Sequence, residues 1–150
     1  MSNPFDLTGK VALVTGGNVG LGQGIALALA EAGADIVSVA LSDSDDTVAQ
    51  VRAMGRRAHA ISADLTSIEP IQRVLAEALE AMGRVDILVN NAGLIRRADA
   101  VDFSEADWDL VMNINLKTVF FLSQAVARRF IAQGDGGKII NIASMLSFQG

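Results

Sequence analysis

The sequence contains no cysteine, no tyrosine, two prolines and one histidine among its 150 residues. The absence of cysteine excludes disulfide bonds and thiolate chemistry, and nothing in the composition points to secretion. His59 is the only histidine, and a lone histidine is a poor candidate for a metal ligand. We therefore expect no bound metal ion.

Excess positive charge and long uncharged apolar runs are also missing. The net charge is −5 at pH 7, and the arginine pairs at 56–57, 96–97 and 128–129 are dispersed rather than arranged in a basic stripe. This balance argues against nucleic-acid binding. No stretch of about 18 residues is apolar throughout and uncharged, and the N-terminus lacks the basic start and apolar run of a signal peptide. We therefore expect a cytoplasmic protein without a membrane-spanning helix.

Apolar residues are abundant: they make up 51% of the chain, which suffices for the core of one domain. Short runs rich in β-branched residues alternate with longer segments of helical periodicity. The runs predict strands at residues 10–15, 35–40, 58–62, 86–90 and 138–143. The longer segments predict helices at residues 20–33, 44–55, 66–83 and 104–134, and the last three are expected to begin at the caps Ser44, Ser67 and Ser104.

Strands that are apolar throughout and alternate with helices are typical of a parallel sheet buried on both faces. We therefore predict an α/β fold with one domain over residues 1–150. The expected architecture is a Rossmann-like, doubly wound parallel sheet in a three-layer αβα arrangement.

Five glycines fall within nine positions, from Gly16 to Gly24, between the first predicted strand and the first predicted helix. Glycine in regular structure costs about 0.5–1 kcal/mol relative to alanine, so this cluster indicates a tight turn or the close approach of a ligand. A helix N-terminus at this place presents unpaired N–H groups to an anion. The stretch does not fit G-x-G-x-x-G, but Thr15, Gly16, Gly20 and Gly22 fit T-G-x-x-x-G-x-G. A glycine-rich turn without function is the alternative.

Further motifs follow the predicted strands: Asp64 after the third, NNAG (90–93) after the fourth and NIAS (141–144) at the end of the fifth. With the glycine loop, and in this order, they resemble the short-chain dehydrogenase/reductase family over essentially the whole chain. The resemblance implies an oxidoreductase that binds a nicotinamide dinucleotide at the carboxyl ends of the strands. The cofactor contacts that it implies are Thr15, Gly16, Asn18, Gly20, Leu21, Gly22, Ser42, Asp64, Leu65, Asn91, Ala92 and Gly93.

Within this resemblance the glycine loop carries the pyrophosphate, Asp64 and Leu65 lie against the adenine, and residues 91–93 lie along the nicotinamide. Asn90 is expected to tie neighbouring strands together instead of binding the cofactor.

The resemblance also assigns two catalytic residues. It implies that Ser144 hydrogen-bonds the reacting oxygen and that Asn115 helps to hold a water of the proton relay. Each residue has a plainer explanation: a polar residue at a strand end, and a helix residue bonded to the backbone.

The family's proton donor is the tyrosine of a Y-x-x-x-K motif after the serine. It has no counterpart here, because the chain has no tyrosine and ends six residues after Ser144. We therefore expect the N-terminal part of a longer enzyme, inactive by itself and lacking the C-terminal strands of the family. The family also implies a homotetramer.

The cofactor is expected to be NAD rather than NADP. No lysine or arginine lies between Lys10 and Arg52, and Asp43, Asp45 and Asp46 would repel a 2′-phosphate. The alternative to an enzyme is a non-catalytic dinucleotide-binding module that senses redox state or docks on a partner.

Several stretches, including the one around NNAG, resemble a branch of the family that acts on sugar-acid ketones. Arg96 and Arg97 follow NNAG by two residues, at the nicotinamide end, and a guanidinium group can bind a carboxylate bidentately. Since consecutive loop residues point apart, we expect one of the two to bind the carboxylate of a small sugar acid. The alternative is that both are solvated charges of a surface loop. The expected wall of the substrate pocket follows Ser144 and consists of Met145, Ser147, Phe148 and Gln149.

Overall fold

The computed structural model describes residues 4–148, which form a parallel sheet with helices on both faces. The strands are β1 (Val11–Thr15), β2 (Asp35–Ala40), β3 (Ala58–Ser62), β4 (Ile87–Asn90) and β5 (Lys138–Asn141). The helices are α1 (Gly20–Glu31), α2 (Asp45–Ala53), α3 (Ile71–Met82), α4 (Glu105–Met112) and α5 (Thr118–Gln133). A π-helical turn (Asn113–Lys117) joins α4 to α5, and a 3₁₀ turn (Met145–Ser147) follows β5. The predicted α/β fold is confirmed.

The strand order is β3-β2-β1-β4-β5, and all neighbouring strands are parallel. At the centre, Leu13 of β1 is in register with Val37 of β2 on one side and with Leu88 of β4 on the other. The chain winds outward from β1 to β3 and then crosses back to β4, so the winding reverses beside β1. Ligands of such sheets bind at the carboxyl ends of the strands on either side of this switch point.

Alternate residues of β1 face opposite sides of the sheet and join two separate cores. Val11 and Leu13 pack in the core that contains residues of α3 and α5. Ala12 and Val14 pack in the other core, with residues of α1 and α2. This alternation, together with the burial of every β1 residue, produces the three-layer αβα arrangement.

Two of the three serines expected to cap helices do not do so. Ser67 accepts a hydrogen bond from the N–H of Glu69 at 3.1 Å, and this local turn delays the start of α3, whose N-cap position is Pro70. Ser44 occupies the N-cap position of α2, but its hydroxyl bonds to that of Ser38 at 3.0 Å instead of to the helix.

The long helix predicted for residues 104–134 is present but not uniform. Ser104 caps it as expected and accepts a hydrogen bond from the N–H of Asp107 at 3.1 Å. The α-helical pattern gives way to the π-helical turn and then resumes, and the helix ends before Gly134, which has a left-handed backbone with φ of 83°. Single π-helical turns inside helices often occur at functional sites.

One segment bears on the expectation that no helix spans a membrane. The continuous stretch Glu105–Gln133 has 29 residues and a mean hydropathy of 1.3 in its most apolar 18-residue window, so it could cross a membrane by length and composition alone. The expectation considered only runs without any charge, whereas a spanning helix can carry one or two charged residues. Core helices of soluble proteins have the same length and apolar character, and Leu122, Val126 and Phe130 of α5 lie in the core with residues of α3.

β5 is an edge strand within the described part of the chain. There it pairs with β4 alone, and all its residues are exposed, with Ile139 at 38% and Ile140 at 44%. An exposed apolar edge is a place where further strands can add.

Candidate functional site

A cleft of about 450 Å³ lies across the carboxyl ends of β1 to β4. All the predicted cofactor residues line it except Thr15 and Gly20. The lining residues are Gly16, Asn18, Val19, Leu21, Gly22, Val39, Ala40, Leu41, Ser42, Ala63, Asp64, Leu65, Thr66, Asn91, Ala92, Gly93, Leu94 and Ile114. The motifs that follow four different strands are therefore brought together.

The glycine loop requires glycine at two positions that touch each other. Gly16 has a φ of +64°, which other residues rarely adopt. A Cβ on Gly22 would lie 2.0 Å from the carbonyl oxygen of Gly16, so the first turn of α1 lies directly against the loop. Gly20, which does not line the cleft, is the first residue of α1.

The N-terminus of α1 is not neutralised by the protein itself. Val19 occupies the N-cap position without a side-chain hydrogen bond, and the first turn contains no acidic residue. The free N–H groups and the positive end of the helix dipole are therefore available to an anion in the cleft. Together with the close approach of Gly16 and Gly22, this makes a cradle that fits a pyrophosphate.

Thr15 does not line the cleft, but its side chain bonds to the backbone that forms the cleft. Its Oγ1 accepts hydrogen bonds from the N–H groups of Asn91 at 3.0 Å and Ala92 at 2.9 Å, and it donates to the carbonyl oxygen of Val89 at 3.3 Å. The Nδ2 of Asn91 donates in return to the carbonyl oxygens of Thr15 and Gly16. These bonds join the loop after β1 to the loop after β4.

Asn90 lies at the end of β4 and is buried. Its Nδ2 donates to Oδ1 of Asn141 in β5 at 2.8 Å and to Oγ of Ser123 in α5 at 3.0 Å. The prediction that Asn90 ties neighbouring strands together is confirmed.

The end of the cleft beside β2 has polar side chains, but no basic side chain of the described residues lines it. The Nδ2 of Asn18 donates to Oγ of Ser42 at 2.8 Å, across the gap between the glycine loop and the end of β2. No lysine or arginine is among the lining residues that the structure describes. Asp43 follows directly and accepts a hydrogen bond from the N–H of Asp45 at 2.6 Å.

Asp64 lines the cleft after β3. Its Oδ1 accepts hydrogen bonds from Oγ1 of Thr66 at 2.7 Å and from the N–H of Thr66 at 2.9 Å. These two bonds hold the pKa of the Asp64 carboxyl below its usual range, so the carboxylate is charged at neutral pH.

A second cleft of about 720 Å³ continues from the first through their shared residues 91–94. It reaches the end of β5, and both Asn115 and Ser144 line it. Ser144 accepts a hydrogen bond from the N–H of Leu146 at 3.2 Å, which begins the 3₁₀ turn. Its hydroxyl proton can be donated to another acceptor in this cleft.

Asn115 lies in the π-helical turn, and both polar atoms of its side chain bond to the backbone of Leu94. Its Nδ2 donates to the carbonyl oxygen of Leu94 at 2.7 Å, and its Oδ1 accepts from the N–H of Leu94 at 3.2 Å. A Cβ on Gly93 would lie 2.6 Å from this Oδ1. The side chain thus fixes the loop that follows NNAG.

The predicted substrate residues are only partly brought to the second cleft. Ser147 and the unpredicted Leu146 line it, whereas Met145 does not, because the 3₁₀ turn leaves Met145 75% exposed. Phe148 also points outward, at 92% exposure. Gln149 lies outside the described residues.

Arg96 and Arg97 lie on the exposed loop beyond Leu94, and neither lines the two clefts. The Arg96 guanidinium group already has partners. Its Nε lies 3.2 Å from Oδ1 of Asp107, and its Nη1 donates to the carbonyl oxygen of Ile95 at 3.2 Å. Arg97 has no ion pair and no side-chain hydrogen bond with any residue between 4 and 148. The two arginines therefore differ in their availability to a ligand.

Several lining residues are not indicated by the motifs, among them the apolar residues Ile114 and Leu94, which lie outside every motif. Helical periodicity places Ile114 on a buried face but does not distinguish a core contact from a cleft contact. Leu94 follows NNAG directly, so its proximity to that motif could have indicated it.

The comparisons with known proteins agree with this geometry. The family model of the short chain dehydrogenases matches residues 10–150. The 2-dehydro-3-deoxy-D-gluconate 5-dehydrogenase of Escherichia coli (strain K12) is 62% identical over 146 residues, which are 97% of this chain and 58% of that protein.

Two solved structures are similar in fold. A candidate 2-deoxy-D-gluconate 3-dehydrogenase from Agrobacterium tumefaciens with bound NADP has a TM-score of 0.86 and 49% identity, over 99% of this chain and 58% of that chain. A short chain dehydrogenase from Mycobacterium paratuberculosis bound to NAD has a TM-score of 0.87 and 32% identity, over 93% of this chain and 57% of that chain. The chain thus spans somewhat more than half the length of these relatives. It belongs to the short chain dehydrogenase family.

Proposed function

We propose that the protein is a nicotinamide-dependent oxidoreductase that acts on a CH–OH or keto group of a small sugar acid related to 2-dehydro-3-deoxy-D-gluconate. The observation that carries this proposal is the continuous path from the uncapped N-terminus of α1 to Ser144, through two clefts that share residues 91–94. The 62% identity to the Escherichia coli dehydrogenase supports the substrate class.

The residues of the first cleft would hold the dinucleotide along its length. The cradle at Gly16 and Gly22 would take the pyrophosphate, and Asp64 and Leu65 would contact the adenine. When bound, the nicotinamide gives or takes the hydride that the protein itself does not supply. The remaining task of the chain is to orient the substrate and to move its hydroxyl proton.

We propose NAD as the preferred dinucleotide. The Asn18–Ser42 pair offers hydrogen bonds to ribose hydroxyls, and the described cleft lining has no guanidinium or ammonium group for a 2′-phosphate. Asp43, just beyond Ser42, adds a charge that would repel this phosphate. The Agrobacterium tumefaciens relative has bound NADP, so a competitive titration of NADH against NADPH decides the question. Tighter binding of NADPH would contradict the proposal.

Ser144 would donate a hydrogen bond to the reacting oxygen, since it lines the second cleft and its own oxygen already accepts a hydrogen bond from the N–H of Leu146. Leu94 uses one donor and one acceptor site of the Asn115 side chain, so a water held by Asn115 would bond to the remaining donor or acceptor site, or to its backbone. The proton donor and its lysine would come from a part of the protein outside this chain, as the family resemblance implies.

Arg97, rather than Arg96, is proposed to bind the substrate carboxylate, because Arg96 is already paired with Asp107. The loop that carries Arg97 begins at the shared wall of the two clefts. Arg97 itself lines neither cleft, but its guanidinium group, which has no partner between residues 4 and 148, lies on this adjoining loop and matches a carboxylate in charge and geometry.

The test of the proposed function is turnover by the intact protein, meaning this chain together with the part that would carry the proton donor. The assay uses NAD and two substrates, a keto-sugar acid and its uncharged keto-sugar analogue. We expect Arg97→Met to lower kcat/KM for the acid but not for the analogue, while Arg96→Met leaves the ratio of the two unchanged. Equal effects of both variants on both substrates would contradict the carboxylate assignment. Dinucleotide binding without turnover of any sugar acid would instead favour a non-catalytic binding module.

We further propose a cytoplasmic homotetramer. The segment from α4 to α5 exposes large apolar side chains, among them Trp108, Leu116, Phe120 and Ile131, which another subunit could cover. Light scattering on the intact protein would measure the assembly, and a monomer would refute this point.

A further inference from the structure

A cluster of buried hydroxyl groups lies beneath the glycine loop and is not part of its sequence motif. Thr47, in the first turn of α2, donates from Oγ1 to the carbonyl oxygen of Gly17 at 3.0 Å and lies 3.3 Å from that of Asn18. It also accepts a hydrogen bond from Nε2 of Gln23 in α1 at 3.0 Å. One side chain of α2, only 1% exposed, therefore connects the loop backbone to the first helix.

Ser38 of β2 and Ser44 complete the cluster. Their hydroxyl oxygens are 3.0 Å apart, and both residues are buried. A Cβ on Gly17 would lie 2.8 Å from Oγ of Ser38, so the backbone of the loop rests on these hydroxyl groups. The Ser38–Ser44 pair thus packs beneath the glycine loop, and Thr47 is the member of the cluster that bonds to the loop backbone.

The single hydroxyl proton of Thr47 orients two peptide groups of the loop, since it is donated to the carbonyl oxygen of Gly17 with that of Asn18 also within 3.3 Å. No peptide bond in the described chain is cis, and in a trans peptide the C=O and the following N–H point in opposite directions. With the carbonyl oxygens of Gly17 and Asn18 turned toward Thr47, the N–H groups of Asn18 and Val19 are held on the opposite side. Both Asn18 and Val19 line the first cleft.

We propose that Thr47 is a positioning residue that holds the glycine loop in the conformation that binds the pyrophosphate of the dinucleotide. A loop without this support would have to be ordered when the ligand binds, and that ordering weakens affinity. The inference rests on the proposed function. It assigns a role to a side chain that lies outside T-G-x-x-x-G-x-G and does not line the cleft.

The experiment compares Thr47→Val, Thr47→Ser and Val51→Ala in the intact protein. Valine keeps the shape of threonine but lacks the hydroxyl group, whereas serine keeps the hydroxyl group. Val51 is fully buried in the same helix, so Val51→Ala weakens the packing of α2 without touching the loop bonds. Calorimetry with ADP-ribose, which has the pyrophosphate but no nicotinamide, measures affinity, and thermal unfolding of each variant is followed in parallel.

We expect Thr47→Val to raise the Kd for ADP-ribose about 5- to 30-fold, as the loss of a buried hydrogen bond predicts. The KM for the dinucleotide should rise without a comparable fall in kcat, and Thr47→Ser should restore most of the affinity. Val51→Ala should lower the Tm without a comparable change in Kd.

Unchanged affinity of Thr47→Val would overturn the inference. An equal loss of affinity in Val51→Ala would also overturn it, since general loosening of α2 would then be the cause. If the unaltered protein does not bind ADP-ribose, the proposed function fails, and this inference fails with it.

Discussion

Alanine substitutions at Gly22 and Gly24, two positions within α1, should have opposite effects. An ideal Cβ at Gly22 would lie 2.0 Å from the carbonyl oxygen of Gly16, 2.7 Å from its carbonyl carbon and 2.5 Å from Nδ2 of Asn91. The first two are backbone atoms, and the amide of Asn91 is itself bonded to backbone carbonyl groups. At Gly24 the added Cβ would meet nothing within 4 Å.

The magnitudes follow from these distances. A contact of 2.0 Å is well inside the 3.0 Å limit that real Cβ atoms observe, so α1 and the glycine loop must move apart. Overpacking of this kind costs about 1–3 kcal/mol, which lowers the Tm by about 2–12 °C for a protein of this size class. Gly24→Ala should instead gain about 0.5–1 kcal/mol and raise the Tm by about 1–4 °C, because alanine is the better helix former.

Thermal unfolding followed by circular dichroism, together with a titration of NADH, measures both effects on the intact protein. Gly22→Ala should lose stability and NADH affinity together, since the same movement opens the proposed pyrophosphate cradle. Gly24→Ala is the matched control and should keep its NADH affinity. If Gly22→Ala unfolds at the same temperature as the unaltered protein and binds NADH equally well, the close approach of Gly22 to Gly16 is wrong.

Three further substitutions test other parts of the proposed site and of the fold. Ser144→Ala should lower kcat by about 10²–10³ and leave the Kd for NADH unchanged, and near-normal turnover would remove Ser144 from the catalytic residues. Asn115→Ala should raise the KM for the substrate about fivefold by releasing the loop at Leu94, and an unchanged KM would show that this bond is dispensable. Hydrogen bonding to Arg84 holds the pKa of the Asp135 carboxyl below its ordinary value of 3.8, so this pair stabilises the fold above that pH and the contribution is lost as the pH falls through the folded-state pKa. Asp135→Asn, which leaves the bonds between Arg84 and Asp86 in place, should therefore flatten the decline of the Tm below about pH 4, and an unaltered acid profile would contradict the assignment.

The inner strands β1, β2 and β4 could be predicted from the sequence because each is a short apolar run that the sheet buries on both faces. Residues 35–40, for example, were predicted as a strand and form β2. The prediction for 138–143 was too long, since β5 ends at Asn141 and the chain then enters the wall of the second cleft. Apolar character continues through Ile142 and therefore gave no sign of this boundary.

Side-chain partners were harder to predict, because they depend on which elements the fold brings together. Thr47 reads as an ordinary residue of an amphipathic helix, and its contact with Gly17 spans 30 residues of sequence. The π-helical turn was also missed, since one additional residue in a helical turn hardly disturbs the apolar periodicity of residues 104–134. Asn115 lies in that turn, where it can bond to the backbone of Leu94.

The two arginines after NNAG show how the fold separates residues that the sequence presents as equivalent. Ser104 caps α4 by accepting from the N–H of Asp107, and its hydroxyl donates to Oδ2 of the same carboxylate at 2.9 Å. The other oxygen of Asp107 is thereby held where Arg96 reaches it at 3.2 Å. The residue that completes the cap of α4 thus pairs with Arg96, and Arg97 is left as the guanidinium group that we propose for a substrate carboxylate. Asp107→Asn would remove the carboxylate that pairs with Arg96. Arg96 would then compete with Arg97 for the same anion.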